Sequence, residues 1–353
     1  MESAFLSGIQ QIGIGVASRS EAWAWYRRVF GMDVPIFTDA GEAPLMTRYT
    51  GSAVQSRTAT LAMNLAGGGG FEIWQFESRT PTAGPEPARL GDLGILAARI
   101  KCLDVDAAHR HVASLSPPFV SDALPDPAGN RGFFVRDPWD NLFHVAEAAS
   151  YFARQASPTG GVSGAVIGVS DIDRALPLYR DLFGFRDLAY DVTGRFPDWD
   201  ALDGGEGAYR RVRLHRPGTG VGPFSRLLGD SNIELVAATG RPGRRLFENR
   251  YWGDLGFIHL CFDVSFMMEW EAKAASAGFP FTVNSAGPFE MDAAGGHFAY
   301  LEDPDGTLIE LVETTEVPVA KNLGLKIDLT KRDRTKPLPN MLIRMLGLGR
   351  IRP

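Results

Sequence analysis

Residues 297–313 read HFAYLEDPDGTLIELVE, and residues 133–147 read FFVRDPWDNLFHVAE. Both stretches run from an apolar segment through Asp-Pro and a polar turn into a second apolar segment. This is the pattern of a β-hairpin closed by a turn rich in Asp, Pro and Gly. At an offset of 166 the two frames superpose, and Glu310 then stands where His144 stands. Both side chains are metal-ligating types. A repeated unit thus holds such a residue at one fixed strand position while its identity changes.

The repetition extends through the chain. IGIGVASRSEAWAWYRRVFGM, from Ile12, matches VIGVSDIDRALPLYRDLFGF, from Val166, at an offset of 153, and GDLG recurs at 91–94 and 253–256. The second half therefore repeats the first, and each half holds two related units. Each unit opens on an alternating strand. A short amphipathic helix follows: Ala175, Leu178, Leu182 and Phe185 recur at helical spacing, and Gly184 suits a C-terminal cap. Pro177 is expected early in that helix, where its missing N–H costs little. Two or three strands complete the unit. The reading is an α+β chain of four βαβββ modules, at about 8–80, 91–150, 161–240 and 253–315, paired into two open barrel-like sheets. Residues 1–153 and 154–318 form the two expected domains, each pairing its own two modules, and 319–353 form a basic tail.

Composition sets outer bounds. The 353 residues carry a net charge of −6, but nine Lys or Arg and two Asp from Lys321 onward give the tail +7, leaving −13 elsewhere. An acidic body argues against nucleic acid as a partner. No apolar run approaches membrane-spanning length, and the first residues lack the basic-then-apolar order of a signal peptide. A cytoplasmic protein with two free buried thiols, Cys102 and Cys261, is expected. The tail, PLPNMLIRMLGLGRIRP, is expected to lie on the body or on a second subunit, with a membrane surface as the less favoured alternative, so a homodimer is compatible with it.

Together, YRDLFGF, DPDGTLIELVE and the four-unit order resemble the vicinal oxygen chelate superfamily of glyoxalases, bleomycin resistance proteins and extradiol dioxygenases. The resemblance spans about residues 8–315. It implies ligand slots in the first and last strand of each module, two modules making one site around one divalent metal ion (Zn, Mn, Fe(II) or Mg). Carried onto this chain, the slots are Gln11 and Glu72 in module one, Ala97 and His144 in module two, Gly164 and Glu234 in module three, and His259 and Glu310 in module four. Pairing within halves makes Glu234, His259 and Glu310 the favoured metal set and Gln11, Glu72 and His144 a second one. Glu234 and Glu310 are the catalytic candidates, with His297 and Tyr300 beside them. The remaining alternatives are structural: alternation alone lets Glu310 face solvent between Ile309 and Leu311, and Gln11 and His144 suit hydrogen-bonded core positions. The insert at 191–232, rich in aromatic residues and Arg, suits either a cleft wall or a solvated connection.

Three functions follow from the resemblance. The first is a metal-dependent lyase or isomerase acting on a small molecule with adjacent oxygens. The second is an Fe(II) extradiol dioxygenase, which Gly164 opposes by standing where that branch has its first His. The third is a metal-free binding or resistance protein.

Overall fold

The computed structural model describes residues 4–285, 289–291, 294–320 and 325–351. Residues 321–324 and 352–353 of the expected tail lie outside the described residues. Four strand–helix–strand units are present, and among the described residues their strands form one ten-stranded and one nine-stranded sheet. The helices Arg19–Phe30, Val105–Ser114 and Met267–Ser276 each follow the first strand of a module. The third module differs at Pro177. A helix capped by Asp171 runs over Ile172–Leu176 and then widens into a π-type turn over Pro177–Leu182. The expected single helix is interrupted there because proline lacks an N–H and its ring crowds the preceding turn.

The modules pair across the halves rather than within them, which corrects the expected pairing. The first strand of module one, Phe5–Gly15, lies antiparallel to the first strand of module four, Gly256–Ser265. On their outer sides lie Gly70–Phe76 and Leu308–Ala320, each parallel to its neighbour. The other sheet joins modules three and two in the same way. Thr159–Gly168 lies antiparallel to Gly94–Cys102, flanked by Ser231–Ala238 and Leu142–Glu147.

Close backbone approach helps fix this choice. A Cβ on Gly15 would lie 2.0 Å from the Asp254 carbonyl oxygen, and one on Gly168 would lie 1.7 Å from that of Asp92. Each glycine thus admits the GDLG loop of the module with which it shares a sheet. Modules of the same half remain neighbours through their helices. Tyr26 donates to the Asp137 carboxylate at 2.7 Å, and Tyr179 donates to that of Asp303 at 3.1 Å. The main core lies along these helices, with Tyr26, Phe30, Phe71 and Phe143 in mutual ring contact.

The described part of the tail packs on the body. Leu329, Leu338 and Ile343 are buried with Val34, Leu65 and Leu227. Arg334 pairs with Glu313 at 2.6 Å, and Arg350 pairs with Asp33 at 2.9 Å. Among the described residues, no helix is long and apolar enough to cross a membrane.

Candidate metal centre

In the larger sheet the four ligand slots fall on four adjacent central strands. Glu310, His259, Gln11 and Glu72 stand one per strand, in that order across the sheet. The register explains the convergence. Gly13 lies opposite both His259 and Glu72, and Cys261 lies opposite both Gln11 and Glu310. Gly13 carries no side chain for a physical reason: a Cβ there would stand 2.5–2.8 Å from three atoms of the His259 ring. The glycine is the space into which the imidazole folds.

Ligand atoms of Glu72, His259 and Glu310 lie within 4.8 Å of one another, all three residues being buried, and such a group could hold a metal ion. His259 Nε2 is 3.2 Å from a carboxylate oxygen of Glu72 and 3.2 Å from one of Glu310. It forms a properly directed hydrogen bond to neither and is a buried nitrogen without a hydrogen-bond partner. The Gln11 amide nitrogen spans the same two carboxylates at 3.2 and 3.3 Å, leaving its buried oxygen without a partner. Amide N and O are assigned from their surroundings. Turning the Gln11 amide over would present its oxygen to a cation held between the carboxylates. Two carboxylates, one imidazole and one amide oxygen suit a divalent ion with mixed N and O ligation, so the residues fit the group.

The electrostatics point the same way. Burial disfavours the imidazolium of His259, but Glu310 and Glu72 outweigh it and raise its pKa to about 10. Without a metal, the proton on His259 is the positive charge that balances this acidic pocket. Burial likewise works against the Glu310 carboxylate, and His259 outweighs it, holding its pKa below the usual value. Tyr300 is buried, with its hydroxyl 3.4 Å from His259 Nδ1. It stands behind the imidazole and can fix its orientation. His297 lines the pocket wall and meets the Asn284 side-chain oxygen at 2.7 Å.

Neither expected set survives intact. The structure brings Gln11 and Glu72 together with His259 and Glu310, while Glu234 and His144 lie in the other sheet. There the four slots are Glu234, Gly164, Ala97 and His144, and arginine surrounds them. Arg211 contacts Glu234 at 2.7 Å, Arg99 contacts it at 3.4 Å, and Tyr190 donates to it at 2.8 Å. Arg211 also pairs with Asp198 at 2.8 Å and stacks over Trp199 at 3.7 Å, and Arg213 pairs with Asp126. Burial favours a neutral Glu234, but Arg211 and Arg99 outweigh it and keep it ionised. Burial, then Arg99, Arg211 and Arg213, push the His144 pKa well below its usual value; its ring stacks on Phe134 at 4.3 Å. In this sheet guanidinium groups supply the positive charge that a metal would bring.

The arginine cluster escaped the sequence reading, although Arg211 and Arg213 alternate along YRRVRLHR and so share one face of a strand. The insert proves to have two roles. Its first part supplies Trp199 and Arg211 to this cluster, and its second part supplies Phe224, Leu227 and Leu228 to the wall beside Gln11 and Glu72. Pockets lie on both sides of the carboxylates: Glu72, Glu310 and Phe298 line both.

The comparisons follow this architecture. A family model described as Glyoxalase/Bleomycin resistance protein/Dioxygenase superfamily matches residues 8–145 and 161–311. No curated protein matches the chain in sequence. Among solved structures, a putative dioxygenase from Bacillus subtilis subsp. subtilis str. 168 is 16% identical with a TM-score of 0.56, covering 88% of this chain and 86% of that one. Glyoxalase I from Zea mays is 13% identical with a TM-score of 0.52, covering 98% of this chain and 96% of that one. At these identities the likeness concerns the fold. With its two matched segments spanning most of the four modules, the chain belongs to the Glyoxalase/Bleomycin resistance protein/Dioxygenase superfamily.

Proposed function

We propose that this chain is a metal-dependent lyase or isomerase of the glyoxalase kind. Its one metal centre is built by Gln11, Glu72, His259 and Glu310, and its substrate is a small molecule with adjacent oxygens. The observation that carries this reading is the convergence of four ligand slots on neighbouring strands, with His259 Nε2 3.2 Å from both carboxylates and Gln11 Oε1 buried without a hydrogen-bond partner. Family members are generally metal-dependent enzymes. When bound, a divalent ion polarises an oxygen of the substrate and makes a proton on the adjacent carbon more acidic.

The protein's own groups supply the rest. Glu72 and Glu310 flank the His259–Gln11 pair, and both face the pocket. Either carboxylate is placed to take a proton from a substrate carbon and return it at a neighbouring one. Tyr300 orients His259. The aromatic and aliphatic walls lower the local polarity, which strengthens charge interactions inside. The set contains one histidine and two carboxylates, which differs from the two-histidine, one-carboxylate facial triad of Fe(II) oxygenases. The reading therefore favours proton transfer over oxygen chemistry.

The test uses the metal-loaded protein with a panel of hydroxycarbonyl and hemithioacetal compounds and a panel of catechols. Turnover that incorporates solvent deuterium, proceeds without oxygen uptake and is lost in Glu310→Gln supports the proposal. Oxygen consumption tied to catechol cleavage would replace it with the dioxygenase reading.

A further inference from the structure

We propose that the substrate is an uncharged small molecule, apolar except for an oxygen-bearing end, whose body lies between the larger sheet and the C-terminal tail. This rests on the metal-centre reading above and narrows the substrate that the centre serves.

The pocket beside the carboxylates is walled by residues from four distant parts of the chain. Ile36 and Met63 come from module one, Leu227 from the insert of module three, Val312 and Phe298 from module four, and Leu346 from the tail. Its cavity volume is about 130 Å³, and it opens to solvent. Its floor is polar, formed by Gln11, Glu72 and Glu310. A ligand matched to this shape has one polar end and an apolar body.

Charge then narrows the class. Among the described lining residues of this pocket the acidic groups are Glu72, Glu310 and Glu316, and neither Lys nor Arg occurs. The second pocket that the carboxylates line contains Arg57, but that side chain is buried and paired with Asp39 at 2.7 Å. A divalent ion held by two carboxylates leaves no net charge to attract an anionic body. A phosphate or carboxylate on that body would be desolvated against an apolar, acidic wall with no Lys or Arg among its described lining residues to meet it.

The basic tail is the obvious source of such a cation, but among its described residues Arg334, Lys331, Lys336 and Arg350 pair with residues outside the lining, and Lys326 is held by the lining residue Glu316. Arg334 pairs with Glu313 at 2.6 Å, Lys326 with Glu316 at 3.2 Å, and Arg350 with Asp33 at 2.9 Å. Lys331 and Lys336 pair with Asp328 and Asp333 of the tail itself. What the described tail adds to the pocket is Leu346, an apolar contact. The tail therefore acts as a specificity wall rather than as an anion anchor.

The test measures fluorescence titrations of the full chain with two probes of similar shape. N-phenyl-1-naphthylamine is neutral, and 8-anilinonaphthalene-1-sulfonate carries one negative charge. Wild type, Leu346→Arg and Leu346→Glu are compared; Leu346 is half-buried, and circular dichroism confirms folding. Wild type is expected to bind the neutral probe at least tenfold more tightly than the sulfonate. Leu346→Arg should reverse that preference, while Leu346→Glu should weaken both probes and the sulfonate more. Equal or tighter sulfonate binding by wild type, or identical behaviour of the two charged variants, would overturn the proposal. Metal content on the same samples separates the two readings. Bound metal without the neutral preference defeats this inference and leaves the metal centre standing. The neutral preference without metal supports the ligand class and defeats the catalytic reading.

Discussion

At the scale of the residue, Gly13 and His259 form one feature. The imidazole occupies the volume that a side chain at position 13 would need. The other sheet shows the complementary solution: Val166, which matches Gly13, faces Ala97, which matches His259. Bulk on one strand is met by a small residue on the other. Gly13→Ala should therefore displace the His259 ring and weaken metal binding by about 10–100-fold, the range for losing support around a ligand. Competition with a chromophoric chelator would measure this.

A second residue-scale prediction concerns Lys101, which is buried in the nine-stranded sheet with its ammonium on the Ser150 carbonyl oxygen at 2.9 Å. Burial lowers its pKa to about 8. Between pH 8 and 10.5 the unfolded chain thus holds more protons than the folded one, so this group's contribution to stability rises with pH in that window. Lys101→Met should be more stable than wild type at pH 7 by about 1–2 kcal/mol. The advantage should shrink as the pH approaches 10.5. Urea unfolding at pH 7 and pH 10 would check both statements.

At the scale of the element, the strands show what the sequence made legible. The ligand positions were readable because the repeat aligns His144 with Glu310, and the family resemblance then places Glu72 and Glu234 in the matching last strands of modules one and three. What each slot does was not readable, because a strand's own pattern does not name the side chains that face it from other strands. Glu234 sits in the same IEL context as Glu310, yet Tyr209–Arg216 places Arg211 against it and closes the position with an ion pair. Removing one partner of a buried pair leaves an uncompensated charge, so Glu234→Ala should destabilise the fold by about 3–5 kcal/mol. Thermal and urea unfolding would register this, while metal content should be unchanged.

At the scale of the whole molecule, repetition revealed four modules but not their partners. The open edge of a first strand can accept the first strand of either neighbouring type of module, and both arrangements satisfy the same alternation. Contacts far apart in sequence decide the matter: Gly15 under the Asp254 carbonyl, and Leu6 opposite Val264. Directly opposed strand residues lie at a Cα separation compatible with a disulfide. A Leu6→Cys, Val264→Cys variant should therefore form an internal cross-link on mild oxidation, visible as faster migration without reductant. Pairing within halves would leave these thiols uncross-linked.

The cross-half pairing is also what assembles the proposed metal centre, because Gln11 and Glu72 come from the first module and His259 and Glu310 from the last. The most direct measurement is metal content by elemental mass spectrometry on untagged protein, comparing wild type with Glu72→Ala, Glu310→Ala, His144→Ala and Glu234→Ala. The account predicts about one metal ion per chain in wild type, lost in both Glu72→Ala and Glu310→Ala and retained in folded His144→Ala and Glu234→Ala. Retention in Glu72→Ala together with loss in Glu234→Ala would contradict it, since the site would then lie within one half of the chain.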